Sequence, residues 1–288
     1  MQHTNAHANR ITLRPLSRPP AVSFPLPNAA PAADATAPLG QWLELWMDDD
    51  IEPNRAETTV NGYRNIIRNH MRPALGEVRL ADLTPELING YYQWLAEEKG
   101  LSPNTIRKHH VLIHTALKAA FRQGVIPANP AQRATPPRAT STDVLYYTPA
   151  LSRLLREVEG HSLELPVKLA CHLGLRRSEV LGLRWRDVDL QTGLLSVRWV
   201  RTTVGYRVVE KTPKTADSCR TLSIGALDGL LDLLQALRTQ RRWDGLPCGP
   251  DDYLVLNPEG VPWHPNVLSA DLADFVAQRR LPPITFHG

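Results

Sequence analysis

Proline divides this 288-residue chain more sharply than any other residue. Residues 1–38 hold Pro15, Pro19, Pro20, Pro25, Pro27, Pro31 and Pro38 beside an alanine-rich run at Ala29–Ala37, with no periodic apolar pattern. Proline fixes φ and has no N–H to donate, so neither a helix nor a sheet spans such a stretch. We read 1–38 as a disordered arm. A second cluster, Pro127, Pro130, Pro136 and Pro137, interrupts 127–142. Three further prolines do the opposite. Thr84-Pro85, Ser102-Pro103 and Thr148-Pro149 each place a capping hydroxyl before a proline at the first helical position, where the missing N–H costs nothing. The pattern predicts a helical domain over 39–130, a basic linker over 131–144 and a second domain over 145–288.

Apolar spacing fills in the elements. Trp42, Leu43, Leu45 and Trp46 suggest a short first helix. Val60, Tyr63, Ile66, Ile67 and His70 fall at helical spacing within Thr58–His70. Helices are expected at about 85–98 and 103–123, the latter burying Ile106, Ile113, Ala116, Leu117 and Ala120, with Gly124 beyond its end. In the second domain a helix at about 162–173 ends at Gly174, and a shorter one starts at Arg177. Three β-type runs follow, Leu194–Val200, Tyr206–Lys211 and Arg220–Ile224. Helices come next at about 225–240 and 265–279, with an apolar run at Tyr253–Leu256 between them. The fold class is mainly α with a small antiparallel sheet.

Charge is unevenly spread. Residues 41–60 carry Glu44, Asp48, Asp49, Asp50, Glu52 and Glu57 against Arg55 alone. Residues 101–140 carry Arg107, Lys108, Lys118, Arg122, Arg133 and Arg138, three histidines (His109, His110, His114) and no carboxylate. Such a stretch attracts polyanions by displacing their condensed counterions, although a solvated helix face beside a basic linker has the same composition. Other classes are disfavoured. No apolar run reaches the ~18 uncharged residues of a membrane span, since Lys168 and His172 interrupt Leu163–Leu175. No signal-peptide core follows the polar N-terminus. Cys171, Cys219 and Cys248 are far apart and form no CxxC, which points to a reduced, cytoplasmic protein without a zinc knuckle. Neither G-x-G-x-x-G nor G-x-x-x-x-G-K occurs, which argues against ATP or dinucleotide chemistry.

The segment that speaks most of chemistry is Gly174-Leu175-Arg176-Arg177-Ser178-Glu179, continuing through Leu181, Leu183, Arg184, Trp185, Asp187, Val188 and Asp189. Glu179, three residues after Arg176, shares its helical face and can fix a guanidinium fork suited to phosphate. The same spacing also makes an ordinary surface ion pair. Lys211-Thr212-Pro213-Lys214-Thr215 joins two β-type runs. A lysine on a short hairpin can reach a neighbouring site and donate a proton, or can be a solvated turn residue. The chain reaches Pro283-Ile284-Thr285-Phe286-His287-Gly288.

Taken in order, these pieces resemble the tyrosine recombinases, also called phage-type integrases, from about residue 40 onward. Tyr63 through Gly76, with Leu80-Ala81-Asp82-Leu83-Thr84, is similar to the family's core-binding domain. Leu101-Ser102-Pro103-Asn104-Thr105-Ile106-Arg107 and Ile126-Pro127-Ala128-Asn129-Pro130 resemble its last helix and exit. Gly174–Asp189 resembles the first-arginine box. Pro213-Lys214-Thr215 with Arg220-Thr221-Leu222 resembles the lysine motif, and Ile284-Thr285-Phe286-His287 the start of the His-x-x-Arg box. The resemblance implies a SAM-like helical core-binding domain followed by an α-rich catalytic domain, incomplete at its C-terminus.

It also implies a reaction. The family cuts and rejoins DNA through a 3′-phosphotyrosine, with neither metal ion nor other cofactor. Arg176 would clamp the phosphate. Lys214 would protonate the leaving 5′-oxygen, with Lys211 as the fallback in another register. His287 would assist proton transfer, and Glu179 would support Arg176. Arg107, Lys108, His109 and Arg177 would contact DNA. The partner is double-stranded DNA, with no membrane. Full-length members assemble as tetramers on DNA, while this chain is expected to be a monomer in solution. The second arginine and the nucleophilic tyrosine are expected beyond Gly288, so the chain as given is expected to bind DNA without cleaving it. Integration of a mobile element is the expected setting, and a non-catalytic helical DNA-binding regulator is the competing reading.

Overall fold

The computed structural model describes residues 34–140, 149–213, 218–227 and 229–286. The arm over 1–33, the Thr148 cap, Lys214 and His287 lie outside the described residues.

Helix α1 (Leu39–Trp46) passes through a π-helical turn, Met47–Ile51, into the short α2 (Glu52–Asn54). Helix α3 (Glu57–Ile66) likewise passes through a π turn, Ile67–Met71, into α4 (Arg72–Leu75). A π turn inserts a residue and rotates the faces that follow it. The buried stripe therefore runs through Ile67 and Met71, while Val60, Tyr63, Ile66 and His70, expected on it, are only half-buried. Helices α5 (Pro85–Glu97) and α6 (Pro103–Arg122) begin as expected. Thr84 Oγ1 accepts the Leu87 N–H at 3.2 Å, and Ser102 Oγ accepts the Thr105 N–H at 3.3 Å.

These helices close around Trp42, Trp46, Met71, Ile88, Leu95, Leu112 and Leu117, and the Trp42 indole N–H donates to the Ala116 carbonyl at 3.0 Å. The expected linker starts too early. Ala131 and Ala134 pack into this core behind a 3-10 turn over Pro130–Gln132, because small side chains after Pro130 fit against α5 and α6.

The second core is built from α7 (Pro149–Glu157), α8 (Glu164–Leu173), α9 (Arg177–Gly182), α10 (Leu230–Trp243) and α11 (Pro265–Gln278). Gly174 terminates α8 with φ +62°, a conformation that glycine adopts without strain. Strands β1 (Val188–Asp189), β2 (Leu194–Val197) and β5 (Arg220–Ser223) form an antiparallel sheet in the order β1-β2-β5. Strands β3 (Val200–Val204) and β4 (Arg207–Lys211) form a separate hairpin, with Val200 opposite Lys211.

Two expectations change here. The run Leu194–Val200 is not one strand: it breaks at Arg198-Trp199, and Val200 opens the hairpin. The chain after Lys211 does not turn between paired strands but crosses from the hairpin to β5 in the other sheet. The run Tyr253–Leu256 makes only isolated bridges, Arg184 with Tyr253 and Leu256 with Pro262. Leu254 and Val255 are nonetheless buried beside Trp185, Trp263, Leu169 and Leu181.

Candidate functional site

Arg176 is the N-cap of α9, with extended backbone (φ −69°, ψ 151°). Three positions into the helix, Glu179 turns back toward it. One Glu179 oxygen accepts the Arg176 backbone N–H at 3.0 Å, and the other accepts Arg176 Nη1 at 3.1 Å. Arg220 reaches the same carboxylate from β5, through Nη2 at 3.0 Å and Nη1 at 3.3 Å. The Glu179 side chain is 2% exposed, so this is not the surface ion pair that the spacing alone also allowed.

Burial by itself pushes the Glu179 carboxyl up. The Arg220 hydrogen bonds, the Arg176 backbone N–H, the Arg220 charge and the Arg176 side chain outweigh it and hold the group below the ordinary glutamate value. One carboxylate between two guanidiniums leaves the cluster one net positive charge. Helix α9 is held tightly against the hairpin: a Cβ on Gly182 would lie 2.4 Å from the Trp199 carbonyl oxygen, so only glycine permits this approach.

The cluster opens onto a cleft of about 530 Å³, lined by Thr58, Arg176, Ser178, Glu179, Lys211 and Ser218 among others. Thr58 comes from α3 in the helical region. Lys211 Nζ stands 3.4 Å from Thr58 Oγ1, and beside it Arg207 pairs with Glu57. The lining thus offers hydroxyls and cations, and the carboxylate within it has both oxygens engaged. Such a cleft suits an oxyanion with several acceptor oxygens. Among the described residues, no three His, Cys, Asp or Glu side chains gather as metal ligands. No described tyrosine lines the cleft.

Of the other site residues expected from sequence, Arg107 and Lys108 are exposed on α6, and Arg107 Nη1 donates to the Pro137 carbonyl at 3.3 Å. Arg177 does not stand beside Arg176. It is half-buried, its Nη1 donates to Ser269 Oγ on α11 at 2.6 Å, and burial lowers its pKa. Expected to touch DNA, it ties α9 to α11 in this structure.

His109 is a correction. It is 1% exposed, with Nδ1 2.8 Å from the Tyr91 hydroxyl and its ring 5.1 Å from that of His70. Burial, helped by the charge of His70, lowers its pKa to about 4. The reason is helical geometry: position 109 follows Ile106 by three and precedes Ile113 by four, which places it on the buried stripe. That spacing was legible in the sequence. The role of Arg220, the second partner of Glu179, has no signal in the sequence. Arg220 lies 41 residues along the chain from Glu179, and no periodicity connects them.

Comparison with known proteins agrees with this architecture. Residues 43–135 match the phage integrase SAM-like domain family. A tyrosine recombinase XerC-like protein of Caldanaerobacter subterraneus subsp. tengcongensis is 26% identical over 228 residues, covering 73% of this chain and 58% of the relative. The integrase of Mycobacterium phage L5 is 24% identical over 267 residues, covering 91% of this chain and 68% of its own. The chain spans about half the length of the curated relatives it matches. Among solved structures, the Tn1549 transposon integrase in complex with a circular intermediate DNA shares the fold, with a TM-score of 0.75 at 18% identity over 87% of this chain and 83% of that one. The SAM-like helical region, the second α-rich region with its small sheets and the sequence likeness along both make this chain similar to the tyrosine recombinases, or phage-type integrases, over most of its length.

Proposed function

We propose that this chain binds duplex DNA and serves site-specific recombination, with one backbone phosphate seated in the cleft beside Arg176. The observation that carries this reading is the buried Glu179 at the cleft wall, holding the guanidiniums of both Arg176 and Arg220. A fixed cation with surplus charge is what a phosphate needs where charge builds up in the transition state.

In the reaction, a tyrosine hydroxyl attacks the phosphorus. The bond to the 5′-oxygen breaks, a 3′-phosphotyrosine forms and the hydroxyl proton leaves to a base. Arg176 neutralises the phosphate oxygens. Lys214 protonates the departing 5′-oxygen, with Lys211, whose side chain lines the cleft, as the alternative donor. His287 assists at the phosphate. Arg107 and Lys108 hold the flanking backbone, which fixes register without reading sequence. Among the described tyrosines, Tyr91 and Tyr92 are buried with their hydroxyls pushed up by burial, and Tyr206 is fully exposed at the hairpin turn. Mobile-element integration is the setting we favour.

The test is a salt series of duplex binding. Affinity should fall steeply with salt, because Lys and Arg displace condensed counterions from phosphates. Reversing Arg107 and Lys108 together to glutamate should weaken binding and flatten the salt slope by about two, one for each phosphate that no longer meets a cation. Affinity that ignores salt, or none for duplex DNA, would sink the proposal.

A further inference from the structure

Arg220 grips Glu179 with a fork, Nη2 on one carboxylate oxygen at 3.0 Å and Nη1 on the other at 3.3 Å. The Arg176 side chain makes a single bond to it, at 3.1 Å. The two guanidiniums also differ in exposure. The Arg220 side chain is 28% exposed and that of Arg176 is 65% exposed. Arg220 Nη1 donates in addition to the carbonyl of Ser218, a residue of the cleft lining, at 3.3 Å.

The charge arithmetic follows from this asymmetry. A buried carboxylate with one guanidinium forms a closed neutral pair, and that guanidinium is drawn inward. With two, the more tightly held cation satisfies the carboxylate, and the looser one is left with its charge facing solvent. We infer that Arg220 is a positioning residue, which neutralises Glu179 so that the exposed Arg176 guanidinium is free to take a phosphate. Arg220 itself stays on the carboxylate. Because β5 follows Lys214 by six residues, the same fork also anchors the strand after the proposed proton donor to the N-terminus of α9. This inference rests on the reading of Arg176 as a phosphate clamp.

The experiment measures binding of the full 288-residue chain to a mixed-sequence DNA duplex across a salt series, for the parent, Arg176→Ala, Arg220→Ala, Arg176→Ala with Arg220→Ala, and Arg220→Ala with Glu179→Gln. Arg220→Ala is expected to lose on the order of tenfold in affinity and about one unit of salt slope, as Arg176→Ala does, because Arg176 collapses onto an unshared carboxylate. The Arg176/Arg220 double variant should bind no worse than Arg176→Ala alone. Adding Glu179→Gln to Arg220→Ala removes the charge that draws Arg176 inward and should restore most of the affinity. A residue that only packs would not be rescued by a charge change on its neighbour.

Parent-like binding by Arg220→Ala, additive losses in the double variant, or no recovery with Glu179→Gln would each overturn the inference. If Arg220→Ala fails to fold by circular dichroism, Arg220→Lys, which keeps the charge and loses the fork, takes its place and should show a smaller loss with the same rescue. No rescue of that variant counts against the inference equally. Failure of the underlying reading looks different: the parent then shows no salt-dependent duplex binding, or binds undisturbed by Arg176→Ala.

Discussion

In the helical region the buried polar side chains are neutral, His109 and Asn129, whereas in the region that follows they are Glu179, Asp187 and Arg241, all charged types. The first set works by hydrogen bonding across helices: His109 to the Tyr91 hydroxyl, Asn129 to the His114 carbonyl and, through its own side-chain oxygen, to the Ala131 N–H. The second set holds charge in fixed places. Arg241 donates to the carbonyls of Tyr253 and Leu254 at 3.0 and 2.8 Å and lies over the Trp185 ring, and Glu179 holds two arginines. Burying a charge is costly unless it is fully partnered. A region that does so repeatedly gains rigid electrostatic geometry, which a platform made of packed helices does not need. The difference places the buried charged groups in the second core and the exposed cations Arg107 and Lys108 on the first.

The sharpest way to break this contrast is Arg241→Ala. It leaves two buried carbonyls without donors and should destabilise the second core by about 3–5 kcal/mol, measured by denaturant unfolding with hydrogen exchange resolved by region. A loss under about 1 kcal/mol would show that the buried charge is not structural.

Acid should separate the regions next. His109 is kept neutral, with a folded pKa near 4 against an ordinary 6.5. Its contribution is complete above about pH 6.5 and is lost as pH falls toward 4. Glu179, held below the ordinary 4.5, has its full contribution above that value and loses it as pH falls from there through the lower folded value. Between pH 6.5 and 4.5 the helical region should therefore weaken by about 2 kcal/mol while the Glu179 cluster stands, as read by exchange rates in α6 and α9. Equal weakening of both would erase the contrast.

The smallest effect is expected from Tyr91→Phe, which removes the hydroxyl facing His109 and should cost about 1 kcal/mol in thermal unfolding, confined to the helical region.

Much of the helical region was legible because its signals are local. Capping hydroxyls before Pro85 and Pro103 act within one turn, and the stripe through Ile106, Ile113 and Leu117 follows from 3.6 residues per turn. The exceptions were also local. The π turns at Met47–Ile51 and Ile67–Met71 rotate faces in a way that no periodic template anticipates, and they left Ile66 half-buried where a regular helix would bury it. In the second region the pair Arg176 and Glu179 was legible at a separation of three. The break at Arg198-Trp199 was not, because strand partners are chosen across the fold: Leu194 pairs with Ser223 and Val200 with Lys211.

The sequence by itself determined where helices begin, which face of α6 is apolar, that Arg176 and Glu179 share a turn, and that basic residues crowd 101–140 without a carboxylate. Those are properties of neighbours within a few residues, and neighbours are set by covalent order. Only the tertiary structure decided that Glu179 is buried and shared with Arg220, that Arg177 turns to Ser269, that Tyr91 is the partner His109 meets and that Thr58 closes the same cleft as Lys211. Each of these depends on which element packs against which. An exposure of only 2% at one carboxylate makes the difference between a solvated surface pair and a buried anion that holds two arginines.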